Sequence, residues 1–100
     1  MIVNTTQITV HPDKRSEFFQ TIRRLADPIK SAKGCLTFCF YVDAEDENSS
    51  LLVTEWESEF DLRNYLQSDE FAVLRGAINV LSSRCVNSKT VISKRSRRAI

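Results

Sequence analysis

The chain has 100 residues, 42% of them hydrophobic and 27% charged, and a net charge of +1, which describes one domain that folds in water rather than a disordered or two-domain chain. Two Gly, two Pro and three Cys exclude collagen-like, low-complexity and disulfide-framework architectures. Four of the last seven residues are basic (Lys94, Arg95, Arg97, Arg98), so residues 1–93 hold 10 basic against 13 acidic side chains. A mildly acidic body lacks the clustered Lys and Arg of a nucleic-acid surface. Residues 94–100 are expected to form a disordered basic tail on a domain spanning residues 1–93. The longest apolar runs are a few residues, too short to span a membrane. No basic n-region and apolar h-region open the chain, and three thiols cannot all pair within it, so a reducing, cytoplasmic setting is expected.

Residues 2–10 are rich in β-branched types and predict a strand ending at His11-Pro12. Asp13 offers an N-cap, and Phe18, Ile22, Leu25 and Ile29 recur at helical spacing. Pro28 should loosen the last turn of this helix, and Lys33-Gly34 should end it. Cys35–Asp43 predicts a second strand, with Leu36, Phe38, Phe40 and Val42 on one face and Cys35, Thr37, Cys39 and Tyr41 on the other. Residues 44–50 form an acidic loop, and Leu51–Glu57 returns as a third strand in hairpin pairing. Ser58 with Asp61 resembles a capping box before Leu62, Tyr65 and Leu66. Ser68 is a second N-cap, followed by Phe71, Leu74, Ile78 and Leu81 at helical spacing. Arg84–Ser93 predicts the fourth strand.

The order β-α-β-β-α-β is the split plan of an α+β, ferredoxin-like domain, an antiparallel four-stranded sheet with helices on one face. Strand two offers apolar groups on both faces, and no further helix covers the second one. A homodimer packed sheet against sheet is therefore expected, or a ligand cavity on that face, or both.

Several segments, taken in order, resemble the antibiotic-biosynthesis monooxygenase family of dimeric α+β barrel proteins. They are Ile8 to Phe18, Gly34-Cys-Leu, Thr54-Glu-Trp-Glu-Ser58 and Tyr65-Leu-Gln-Ser-Asp-Glu-Phe71. The resemblance covers about residues 2–93. It implies a homodimeric β-barrel, with a pocket between sheet and helices in each subunit. Family members include cofactor-free oxygenases of phenols and quinols, haem-degrading enzymes and an isomerase. The haem-degrading branch uses an Asn on strand one, a Trp in the first short helix and a His ten residues later. Thr6, Tyr65 and Arg75 stand at those positions here, and Arg cannot serve as a neutral nitrogen ligand. Other members carry His where this chain has Tyr65 and Glu70.

Three functions follow as expectations: a cofactor-independent monooxygenase of a small aromatic or quinol-type substrate, a non-catalytic small-molecule or haem-binding dimer, or an isomerase of the same fold. For the first, with molecular oxygen as co-substrate and no cofactor, the pocket must hold a ring, stabilise its anion and exclude water. Arg75 is a permanent cation flanking an apolar helical stripe, suited to an anionic oxygen; otherwise it is a surface arginine paired with a carboxylate. Tyr65 and Trp56 combine apolar bulk with a hydrogen-bond donor and suit a pocket rim, or else the core. Arg75 and Tyr65 are the candidate catalytic residues, and Trp56, Thr6, Tyr41 and Phe71 the candidate substrate contacts. No metal site is expected, because the spacing of Cys35, Cys39, Cys85 and His11 matches no zinc pattern. His11, before a proline at a strand end, reads as an exposed turn residue, Glu55 as paired across the sheet or dimer, and Cys39 as a buried, inert thiol.

Overall fold

In the computed structural model, which describes residues 1–92, β1 (Ile2–Val10) pairs on one side with β3 (Ser49–Trp56) and on the other with β4 (Ser82–Val91). Strand β2 (Cys35–Val42) completes an antiparallel sheet ordered β2-β3-β1-β4. Helices α1 (Arg15–Lys30), α2 (Glu59–Leu66) and α3 (Asp69–Leu81) bring their apolar stripes to one face of it. This is the expected ferredoxin-like plan, with the second helical segment divided in two at Ser68. The expected tail, residues 94–100, lies outside the described residues. No helix among the described residues is long and apolar enough to cross a membrane.

Strand alternation explains which side chains meet the helices. Ile2, Asn4, Thr6, Ile8 and Val10 of β1 are all buried, and Ser50, Leu52, Thr54 and Trp56 of β3 share their face. The stripe Phe18, Ile22, Leu25 and Ile29 of α1 is buried as its spacing predicts. Phe18 and Phe19 pack on Phe40 of β2, with ring centroids 6.0 and 5.7 Å apart. Thus α1 covers the β2 side of the sheet, and α3 runs beside β1 and β4.

Four local expectations need correction. Asp13 does not cap α1: it sits in a 3-10 turn, Pro12–Lys14, and no side chain caps that helix. Gly34 is not the residue that closes α1, which ends at Lys30 with Ser31 as its C-cap; it turns the chain into β2 with a φ of +82°. Strict alternation fails in β2, where a register shift between Cys35 and Thr37 pairs Cys35 with Trp56 and Thr37 with Glu55. Cys35 therefore joins the helix face while Leu36 is exposed. Finally, β3 and β4 each begin two residues early, at Ser49 and Ser82. Pro28 stands inside α1, two residues before its end. The Ser58 cap holds: Asp61 N–H donates to Ser58 Oγ at 3.1 Å, and Ser58 Oγ donates to Asp61 Oδ2 at 2.9 Å.

The buried Asp61 lies directly against Gly34, where a Cβ would come within 2.3 Å of its carboxyl carbon. Gly34→Ala is expected to destabilise by about 1–3 kcal/mol, through left-handed backbone strain and overpacking. Gly76, with nothing near its Cβ position and in the interior of α3, is its opposite. Gly76→Ala should stabilise by about 0.5–1 kcal/mol. Urea unfolding of both variants, read as opposite shifts of midpoint, checks the pair.

The other sheet face is not covered by any of the described residues. Thr37, Cys39 and Tyr41 of β2 lie there with Leu51, Val53 and Glu55 of β3, Val3, Thr5 and Gln7 of β1, and Val86 of β4. Tyr41, Leu51 and Val86 are exposed. Glu55 is paired across the sheet, its Oε1 accepting from Thr37 Oγ1 at 2.9 Å. Cys39 is half-buried on this face, not enclosed in the core.

Candidate functional site

The polar centre of β1 explains where the helix layer leaves a space. Ile2, Ile8 and Val10 fill the ends of the strand's helix face, whereas Asn4 and Thr6 are shorter and polar in the middle. Above them a cavity of about 500 Å³ opens between α2, α3 and the β1–β4 edge, lined by Thr6, Leu66, Phe71, Leu74, Arg75, Ile78, Asn79, Cys85 and Asn87. Most of this wall is apolar. Its polar groups are the Thr6–Asn87 floor and the Arg75–Asn79 side of α3. Concave, mainly apolar space with a few convergent polar groups is the usual character of a small-molecule site.

Ser68 places the α3 wall. Its Oγ accepts from Phe71 N–H at 3.2 Å and donates to the Tyr65 carbonyl at 2.6 Å, which breaks the helical segment and starts α3 at the rotation that turns Phe71, Leu74 and Ile78 inward. At the β4 edge, Lys89 pairs with Glu59 of α2, and this lysine holds the Glu59 carboxyl below its usual range.

Thr6, Phe71 and Arg75, three of the sequence-derived candidates, line this one cavity. Arg75 is exposed, makes no ion pair with the described residues, and stands 5.7 Å from the centroid of the Phe71 ring. A guanidinium stacked on an aromatic face and free of any carboxylate keeps its charge available to an incoming anion.

Tyr65 and Trp56 lie behind the wall rather than on it. Their rings stack with centroids 4.7 Å apart, and Tyr65 meets Phe71 edge-on at 5.3 Å. Trp56 is wholly buried, and its Nε1 donates to Thr54 Oγ1 at 2.9 Å. Burial drives the Tyr65 phenol well above its ordinary pKa, and the nearby Cys35 and Glu70 add to the shift. Tyr41 is on the uncovered sheet face, beside a shallower hollow of about 410 Å³ lined by Gln7, Tyr41 and Leu51; Thr6 and Tyr41 therefore do not share a site. The side chain of His11 is not part of the cavity wall.

Sequence reading missed Asn79, Cys85 and Asn87 as cavity residues. Asn79 follows Ile78 of the apolar stripe and sits one turn beyond Arg75, so the helical spacing could have found it. The β4 residues could not be assigned without the register, which pairs Asn87 with Thr6 and Cys85 with Ile8. Burial raises the pKa of both Cys85 and Cys35, so neither thiol is activated as a thiolate.

The alkaline side of the stability profile follows. Raised pKa values mean that the folded state holds its protons more tightly than the unfolded chain, so this contribution is complete below the unfolded values and lost as pH rises through the folded ones. Stability should fall from about pH 9 upward, first through the thiols and then through Tyr65. Urea midpoints measured at increasing pH check this, and Tyr65→Phe should flatten the upper part of the fall.

The fold and cavity together define a ferredoxin-like α+β domain with a small-molecule-sized space between its sheet and its split helix. The family model for antibiotic biosynthesis monooxygenase matches residues 1–76, and the chain belongs to this family. It is 33% identical over 70 residues to the uncharacterized protein sll1783 of Synechocystis, an alignment covering 70% of this chain and 48% of that one. The chain thus spans about half the length of this curated relative. A crystal structure of an antibiotic biosynthesis monooxygenase, 18% identical, superposes with a TM-score of 0.85 over 93% of this chain and 99% of its own. The structure of Rv0793 from Mycobacterium tuberculosis, 17% identical, gives 0.86 over 93% and 95%. At such identities these two likenesses concern the fold.

Proposed function

We propose that this protein is a cofactor-independent monooxygenase of a small aromatic or quinol-type substrate, working as a homodimer. The observation that carries this reading is the Arg75 guanidinium, which joins no ion pair among the described residues, on the wall of a mainly apolar cavity. A phenol held there is stabilised as its anion, because a fixed positive charge lowers the pKa of a neighbouring acid. The electron-rich phenolate then reduces oxygen itself. One oxygen atom enters the ring as a second carbonyl, the other leaves as water, and the two hydrogens of that water come from the substrate hydroxyl and the ring position oxidised. Leu66, Phe71, Leu74 and Ile78 supply the apolar surroundings that this chemistry needs.

Haem, the substrate of one branch that the resemblance includes, fits less well. The cavity wall offers no imidazole, Arg75 cannot ligate iron, and the Cys85 thiol is held in its protonated form.

The homodimer reading is supported by the uncovered face, where Val3, Val53, Leu51, Tyr41 and Val86 leave apolar surface in water. A second copy packed sheet to sheet would bury it and close a barrel. Size-exclusion with light scattering should give twice the chain mass; a monodisperse monomer would remove this part. A reducing cytoplasm suits the three free thiols.

Oxygen uptake with a panel of hydroquinones and anthrols, in the presence of a chelator and with no added cofactor, tests the activity. Uptake above the spontaneous rate is expected. A second reading, a binding dimer without catalysis, is favoured by one observation: no imidazole lines the cavity and the nearby Tyr65 phenol holds its proton. Saturable binding of the same compounds without uptake would select it.

A further inference from the structure

At the cavity floor a backbone carbonyl fixes the orientation of the Asn87 side-chain amide, which is exposed on the edge strand β4. Asn87 Nδ2 lies 3.2 Å from the Thr5 carbonyl oxygen, 2.8 Å from Thr6 Oγ1 and 3.2 Å from Asn4 Oδ1. A backbone carbonyl can only accept, so the Asn87 group facing it must be the NH₂. Thr6 Oγ1 is then an acceptor toward Asn87, which leaves its own hydrogen to donate elsewhere. Thr6 is buried, makes no other side-chain hydrogen bond with the described residues, and lines the cavity with Asn87. Asn87 Oδ1 likewise receives no hydrogen bond from them. The floor therefore presents one donor and one acceptor side by side, and the α3 wall presents Arg75.

We propose that Asn87 sets the hydrogen-bond polarity of this floor, so that the cavity takes a two-oxygen aromatic as its monoanion. The oxygen that keeps its proton accepts from Thr6 and donates to Asn87 Oδ1, and the ionised oxygen meets Arg75. This rests on the aromatic-binding reading above and narrows it to dihydroxy-aromatic monoanions. A hydroxyl satisfies both floor groups. An ether in the same place accepts from Thr6 but leaves Asn87 Oδ1 without a partner once the ligand has displaced water, a loss worth about tenfold in affinity. A fully ionised ligand would set a negative oxygen against that same acceptor. Asn87 is thus a positioning and specificity residue, acting on the ligand partly through Thr6.

The test uses two redox-stable probes, 4-hydroxy-1-naphthoate and 4-methoxy-1-naphthoate, whose carboxylate stands in for the ionised oxygen. Their dissociation constants are measured by calorimetry with the wild-type protein, Asn87→Asp and Thr6→Val. The hydroxy probe should bind wild type about tenfold more tightly than the methoxy probe. In Asn87→Asp the carboxylate cannot donate, so the Thr6 hydrogen turns back toward it. The methoxy probe then meets acceptors only, while the hydroxy probe still donates to Asp, and the ratio between the two widens severalfold. Repulsion of the probes' own carboxylate is common to both and cancels in the ratio. Thr6→Val should weaken both probes together. Equal binding of the two probes to wild type, equal weakening of both by Asn87→Asp, or indifference of both to Thr6→Val would overturn the assignment while leaving the cavity an aromatic site. Failure of both probes to bind wild type would overturn that reading as well, and the assignment with it.

Discussion

Replacing Trp56 with alanine is expected to remove about 3–5 kcal/mol of stability, the range for truncating a fully buried large aromatic. The side chain is 0% exposed, stacks on Tyr65 and donates to Thr54. Its loss would leave a void beneath α2 and take away the surface on which Tyr65, and through it Phe71, is seated. Small domains have only about 5–15 kcal/mol in total, so this one change should move the urea midpoint far down, with an unchanged slope. Trp56→Phe keeps a ring and should cost much less. Since Trp56 does not reach the cavity, that milder variant should also leave substrate KM unchanged. A loss below about 1 kcal/mol for the alanine variant would contradict its central place in the core.

The second large effect concerns activity. Arg75→Ala is expected to lower the rate of oxygen uptake by about 10²–10³-fold, the magnitude typical of removing one preorganised group that stabilises developing negative charge. Stability should change by no more than about 0.5 kcal/mol, because Arg75 is exposed and joins no ion pair with the described residues. The pH profile separates a charge effect from a packing effect. On the proposed function, the phenol bound beside Arg75 ionises at a pH below its free value, so kcat should rise early and level off. In Arg75→Ala the rise should move up to the pKa of the free substrate. Arg75→Lys restores the charge without the planar stack on Phe71 and should recover part of the rate.

Much of the fold was written in local patterns. The α1 stripe and the Ser58 and Ser68 caps depend on neighbours a few residues apart, and each is found where the spacing places it. Asp13 and the face of Cys35 went otherwise for different reasons, the first a neighbouring residue and the second a group distant in sequence. Pro12 starts a 3-10 turn before any cap can form, and the β2 register shift is visible only against Trp56 of β3. The site divides in the same way. Phe71 and Arg75, four apart on one helix, share a wall as helical geometry requires. Thr6 and Tyr41 fall on opposite faces because strand alternation gives two faces without saying which one the helices cover. Asn87 enters the site only through the pairing of β4 with β1, 81 residues away in sequence from Thr6, a contact that no short-range pattern encodes. Trp56 and Tyr65 have the composition of a pocket rim, yet the same bulk serves the core, and burial decided between the two.

The most direct measurement is a crystal structure of the protein soaked with 4-hydroxy-1-naphthoate. The ring is expected between α3 and the β1–β4 floor, its carboxylate on Arg75 and its hydroxyl on Thr6 and Asn87. A ring bound instead on the uncovered sheet face beside Tyr41, with the cavity above Thr6 left to water, would contradict the assignment of the site.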